Sequence, residues 1–240
     1  MFRSMNKLIG YKVGTVDGEE GTVADFLFDD KRQMVRYVVV KTGGWLMGRD
    51  VLISPVAVDS IDNDQHRMET VLAKESIEKA PGIATNRPVS RQQELQLVSY
   101  YNWPMYWGPV APPTSLEASQ VVVEETAVKE FDPHLRSTKA VVGYSINCIS
   151  DSIGHVKDLI VDLDTWTIRY LVIDTGNWLP GKKVIVGFDW LTEIHREDNS
   201  VFVDLTRKQI ETAPPYDPNV PVNRDYETTL YDFYDRPTYW

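Results

Sequence analysis

The 240-residue chain is 42% hydrophobic and 25% charged, the mix of a folded protein rather than a disordered one. Its 35 acidic and 25 basic residues give a formal net charge of -10, which disfavours broad contact with phosphate backbones or anionic lipid. One cysteine, Cys148, excludes an intramolecular disulfide, and no stretch approaches the roughly 20 apolar residues of a membrane helix, so a soluble cytoplasmic protein with no membrane span and no nucleic-acid partner is expected.

A single register organises the chain. Gly10-Tyr11 recurs as Gly143-Tyr144, an offset of 133. The same offset carries Gly21 to Gly154, Asp25 to Asp158, Arg36-Tyr37 to Arg169-Tyr170, and Trp45-Leu46 to Trp178-Leu179. It still holds where Tyr106-Trp107 becomes Tyr239-Trp240. Roughly 30 of about 100 aligned positions are identical without a gap, which shared composition does not produce. The expected organisation is two tandem copies over 5–107 and 140–240, joined by a linker over 108–139. Gly108-Pro109 and Pro112-Pro113 give the linker a turn and extended signature, and its Val121-Val122-Val123 run suits one short strand.

Taken in chain order, residues 21–28 predict a first strand, and Asp29-Asp30-Lys31 a turn. The β-branched run over 35–41, Val-Arg-Tyr-Val-Val-Val-Lys, predicts the next strand. Residues 51–53 and 68–72 supply two more. Ser90 to Gln93 reads as a capping box, with Glu94, Leu97, Val98 and Tyr101 on one face of the helix that follows. Copy two repeats each element, with a capping box at Thr206 to Gln209 and an N-cap at Asn223 before Glu227, Leu230, Tyr231 and Tyr234. Short strands separated by turns, with no long helical period between them, predict a mainly β chain. Its fold is two small antiparallel β-barrels, each ending in a short helix and an aromatic tail.

The motifs at Leu8-Ile9-Gly10-Tyr11, Gly21 to Asp25 and Arg36 to Val40 resemble the PRC-barrel domain, as do Val142-Gly143-Tyr144, Gly154 to Asp158 and Arg169 to Ile173. The resemblance covers about 75 residues of each copy. It implies a small barrel of the kind found in the cytoplasmic part of the photosynthetic reaction-centre H subunit and in the C-terminal part of a ribosome-maturation factor. It also implies adaptor and assembly roles rather than catalysis. The H subunit's membrane helix and the ribosome factor's distinct N-terminal domain have no counterpart here, so neither specific role carries over, and no family functional residue maps onto the chain.

The candidate binding surface is aromatic. Trp45 and Trp178 sit in glycine-flanked loops that could anchor a partner, rim a small-molecule pocket or plug a barrel end. Tyr106, Trp107, Tyr239 and Trp240 either hook a partner or pack within the chain or across a homodimer. Asp25 and Asp29, with Asp158 and Asp162, lie four apart on strands, too far along them for a catalytic dyad, and suit strand-end solvation or pairing with Arg36 and Arg169. His66, His134, His155 and His195 do not match under the offset, and Cys148 lies opposite Thr15. No catalytic residue, metal site or cofactor is expected. The expected function is a non-enzymatic adaptor for a protein partner, with a small-molecule or stress-related binding protein as the alternative.

Overall fold

The β-branched runs that mark the sequence become strands buried on both faces. In the computed structural model they link into one hydrogen-bonded network of 15 strands among the described residues, which are 1–43, 48–83, 89–105, 135–149, 151–176 and 181–240. Copy one contributes β1 (Phe2–Ser4), α1 (Met5–Leu8), β2 (Lys12–Thr15), β3 (Gly18–Asp29), β4 (Met34–Thr42) and β5 (Arg49–Ile53). It continues with β6 (Val58–Asp62), β7 (Arg67–Thr70), α2 (Lys74–Glu78), β8 (Gly82–Ile83) and α3 (Arg91–Tyr101). Copy two contributes β9 (Leu135–Ser137), α4 (Thr138–Val141), β10 (Ser145–Asn147), β11 (Ser152–Asp162), β12 (Thr167–Asp174) and β13 (Lys183–Gly187). It ends with β14 (Leu191–His195), β15 (Ser200–Val203), α5 (Arg207–Thr212) and α6 (Arg224–Tyr234).

The main path runs β14-β15-β10-β11-β12-β4-β3-β2-β7-β6, a palindrome under the 133-residue offset. The neighbours are antiparallel except for one pair per copy, β2 with β7 and β10 with β15. Each parallel pair joins strands separated by most of a module, as a parallel connection requires. The two capping boxes form as the sequence predicts, at Ser90–Gln93 and Thr206–Gln209, and Asn223 caps α6.

Glycine fixes the entry to each copy. Gly10 and Gly143 adopt φ +88° and +95°, and their amides donate to Val23 O and Val156 O, both at 2.8 Å. An L side chain is strained at such angles, so the Gly-Tyr motif reports a backbone requirement. Gly21 and Gly154 are constrained twice over: φ is positive, and an added Cβ would lie 2.4 Å from Lys41 O or 2.0 Å from Asp174 O.

The copies are interleaved. β1 pairs antiparallel with β11 of copy two, Ser4 opposite Ile160, while β9 pairs antiparallel with β3 of copy one, Ser137 opposite Leu27. Each copy thus lends its leading strand to the other. The central strands meet at Met34 and Thr167, where Val35 N donates to Trp166 O at 2.9 Å and Ile168 N to Gln33 O at 2.7 Å. One apolar cluster runs through both copies, with Phe28 edge-on to Phe188 at 5.8 Å and Phe2 edge-on to Tyr170 at 6.0 Å. A smaller cluster gathers Leu27, Tyr37, Val39, Leu52 and Leu97 with Leu135 of β9.

This exchange corrects the reading of the paired aspartates. Asp25 and Asp158 are not merely solvated strand residues. Asp25 accepts from the hydroxyls of Ser137 and Thr138 and from Lys139 N, at the start of α4. Asp158 accepts from Ser4 Oγ and from Asn6 N, at the start of α1. A carboxylate beside free helix N–H groups satisfies donors that have no partner within the helix. Burial nevertheless raises the Asp158 carboxyl above its ordinary range, against those hydrogen bonds. The second aspartates diverge: Asp29 reaches Arg36 at 3.6 Å, whereas Asp162 pairs with the Met1 amino group at 2.8 Å.

Candidate functional site

The helical face read from the sequence becomes the floor of the aromatic tail in copy two. Asn223 Oδ1 accepts from Tyr226 N at 2.9 Å and starts α6, whose Glu227, Leu230, Tyr231 and Tyr234 are buried. Trp190 packs on Tyr231 and Tyr234, with ring centroids 5.2 and 4.9 Å away. Asp235, in the left-handed region, ends the helix and turns the chain back.

Tyr239 then reaches the fully buried Glu227, donating to Oε1 at 2.7 Å. Tyr170 of β12 donates to the same oxygen. Glu227 Oε2 lies 3.1 Å from Arg224. Arg169 stacks 4.0 Å from the Tyr239 ring centroid, and Arg224 lies 4.1 Å from that of Trp240. A buried carboxylate is retained only with such compensation, so this network anchors the tail to its own copy. Burial, and then the bond to Glu227, drive the Tyr170 hydroxyl far up, while burial first and Glu227 second push Tyr239 up to about 12. Trp240 remains 46% exposed at the rim.

Copy one repeats the root of this network. Tyr37 of β4 donates to the buried Glu94 of α3 at 3.0 Å, and Tyr101 stacks on Trp103 at 4.0 Å. Tyr106 and Trp107 lie outside the described residues, as do Trp45, Trp178 and His134. Of the six aromatic residues singled out from the sequence, the structure therefore places Tyr239 and Trp240, and it brings those two together.

Two further pairs share the offset and face solvent. Val16 and Ile149, at the tips of the β2–β3 and β10–β11 hairpins, are 68% and 65% exposed. Tyr100 and Phe233, on the outer faces of α3 and α6, are 41% and 38% exposed, each edge-on to the next aromatic of its helix, Tyr101 or Tyr234. The sequence reading placed Tyr100 and Phe233 only as the first residues of the aromatic tails and missed Val16 and Ile149, although the offset itself would have found that pair: apolar character is kept at both positions.

The remaining reactive groups do not converge. His195 Nε2 contacts Glu193, and His66 lies edge-on to Tyr11 at 5.1 Å. Among the described residues no three His, Cys, Asp or Glu side chains gather as a metal site. Cys148 is buried, and burial pushes its thiol up to about 11.

The match to known families follows the same duplication. The model of the PRC-barrel domain matches residues 2–76 and again 142–210. The chain belongs to the PRC-barrel domain family. PRC-barrel modules are generally non-enzymatic and often interact with proteins. A relative in Deinococcus radiodurans, an uncharacterized protein, is 30% identical over 86 residues, which cover 35% of this chain and 30% of that protein. The chain therefore spans less than a third of that relative's length. Both matched PRC-barrel segments stop short of α3 and α6, so the buried glutamates and the aromatic tail lie beyond the matched region.

Proposed function

We propose that this tandem PRC-barrel protein is a non-catalytic adaptor that presents two related apolar surfaces to a protein partner. The observation that carries the reading is the duplicated exposure of Val16 with Ile149 and of Tyr100 with Phe233 on one interleaved body. A partner with two like epitopes, or a two-fold partner, gains from engaging both, because the second contact becomes intramolecular. The working units are 5–107 and 140–240, joined by a linker over 108–139; β1 and β9, which lead into the two units from just ahead of these bounds, are the strands that cross to the other unit. The lone buried thiol fits a reducing, cytoplasmic setting. The Tyr239–Glu227 network holds the second tail as structure, which leaves the outer faces of α3 and α6 for contact.

Affinity capture from native extract tests this. The intact chain and a Tyr100→Asp/Phe233→Asp variant with unchanged thermal midpoint are compared side by side. A discrete partner held by the first and lost from the second supports the adaptor. A partner held equally by both removes these surfaces from the account.

A further inference from the structure

The two copies repeat each other closely, so a place where they differ chemically is informative. One such difference lines a cavity of about 450 Å³ between them. Its wall comes from β1 and α1, from Tyr11, Asn63 and His66 of copy one, and from Ile160, Tyr216 and residues 218–222 of copy two. Arg3 and Lys7 are in the lining, and no Asp or Glu is, in a chain with 35 of them.

The mirror positions explain how this cationic lining arose. Across the offset, Arg136 corresponds to Arg3 and is neutralised: Nε lies 2.8 Å from Asp30 Oδ2, and Nη2 donates to Ile194 O at 2.9 Å. The counterpart of Asp30 is Leu163, so no carboxylate is supplied to Arg3. Arg3 donates instead to Asn63 Oδ1 at 3.1 Å and to Phe2 O at 3.2 Å, and it forms no ion pair among the described residues. Lys7 and His66 correspond to Ala140 and Asn199, so these basic groups also occur in one copy only. Lys7 Nζ donates to Pro218 O, at 2.6 Å. Carboxylates stand behind this lining but outside it: Asp62 and Asp64 border an adjoining pocket with Arg3, Asp62 accepting from Asp64 N and Gln65 N within its own turn, and Asp158, bonded to Ser4 Oγ, lies on the Lys7 side. Phe2, Tyr11, Ile160, Tyr216 and Val222 make much of the remaining wall apolar and partly aromatic.

The geometry points to this cavity as a binding site for a small organic anion, a carboxylate carried on a flat apolar body, held by Arg3 and Lys7. A guanidinium without a carboxylate partner presents its planar fork to an oxyanion, and the apolar wall accepts the rest of the ligand. The volume falls within the usual range for small-molecule sites. The site is separate from the exposed pairs of the adaptor reading and does not rest on it.

The probe is 2-naphthoate, titrated calorimetrically into the full chain, with neutral 2-naphthalenemethanol and inorganic phosphate as comparisons. The variants borrow residues that the other copy already tolerates: Leu163→Asp, which restores the missing partner of Arg3, and Lys7→Ala. The expected result is saturable binding of one naphthoate per chain, about tenfold or more weaker in each variant, since each variant removes or neutralises a charge-assisted contact to the carboxylate. The alcohol and phosphate should each bind about tenfold or more weaker than naphthoate to the unaltered chain. Absence of saturable heat with naphthoate overturns the site. So does naphthoate affinity unchanged in both variants, or equal affinity for the neutral alcohol. Phosphate binding as tightly as naphthoate overturns the role given to the apolar wall. Thermal midpoints measured on each variant separate lost binding from lost fold.

Discussion

Single residues in this protein act through the donors they would leave stranded. Glu227 accepts from two tyrosine hydroxyls, one of them wholly buried. Glu227→Ala is expected to lower unfolding free energy by roughly 2–4 kcal/mol in urea titrations, and Glu227→Gln, which keeps an acceptor, by clearly less. A loss below about 0.5 kcal/mol for the alanine variant would mean that the network contributes nothing to holding the tail. Cys148 offers a chemical counterpart. With its thiol pushed up to about 11 by burial first and by Asp151 second, it should react with a disulfide reagent at pH 8 about 100-fold more slowly than after unfolding. Equal rates would place the thiol in solvent. The sequence put Glu94 and Glu227 on the correct helical faces, but their burial was not legible, because Tyr37 and Tyr170, which donate to them, come from strands 57 residues earlier.

Secondary-structure elements were legible where a local rule governs them. The capping boxes at Ser90 and Thr206, the cap at Asn223 and the strands over β4 and β12 follow from neighbouring residues alone. What local rules could not show was where β1 and β9 pair, since three-residue strands carry no period and their partners lie more than 100 positions away. The signal was present in the register: Arg3-Ser4 and Arg136-Ser137 keep the offset, as do Asp25 and Asp158, which receive their donors. These cross-copy caps are testable. Asp25→Ala should cost about 1–3 kcal/mol by stranding the donors of Ser137, Thr138 and Lys139. Asp158→Asn should cost less than Asp158→Ala, because burial already opposes the charge while the acceptor is still needed. Chemical denaturation monitored by tryptophan fluorescence measures all three, and an Asn variant as damaging as the Ala variant would assign the effect to charge instead.

At the scale of the whole molecule, many tyrosines enter one interleaved core, and that sets a pH limit. Tyr216, Tyr226 and Tyr239 are each pushed up to about 12, by burial first. Their folded values are raised above the unfolded value of about 10, so the protonated form is the one the fold favours. Their contribution is complete below pH ~10 and is lost as pH rises through ~12, so the thermal midpoint should hold from pH 8 to 9.5 and then fall steeply. A midpoint level up to pH 12 would contradict this burial. Duplication and fold class were readable because identical glycines and strand residues recur in register. The joining of the copies into one body was not, because repetition reveals the module and leaves its packing open. Cleavage of the connection tests that joining most directly. A protease site placed within 108–134 is cut in the folded protein, and the products are sized at nanomolar concentration. Exchange of β1 and β9 predicts that the two fragments stay together at the mass of the intact chain and melt in one transition; two separately eluting fragments, each folded, would contradict it.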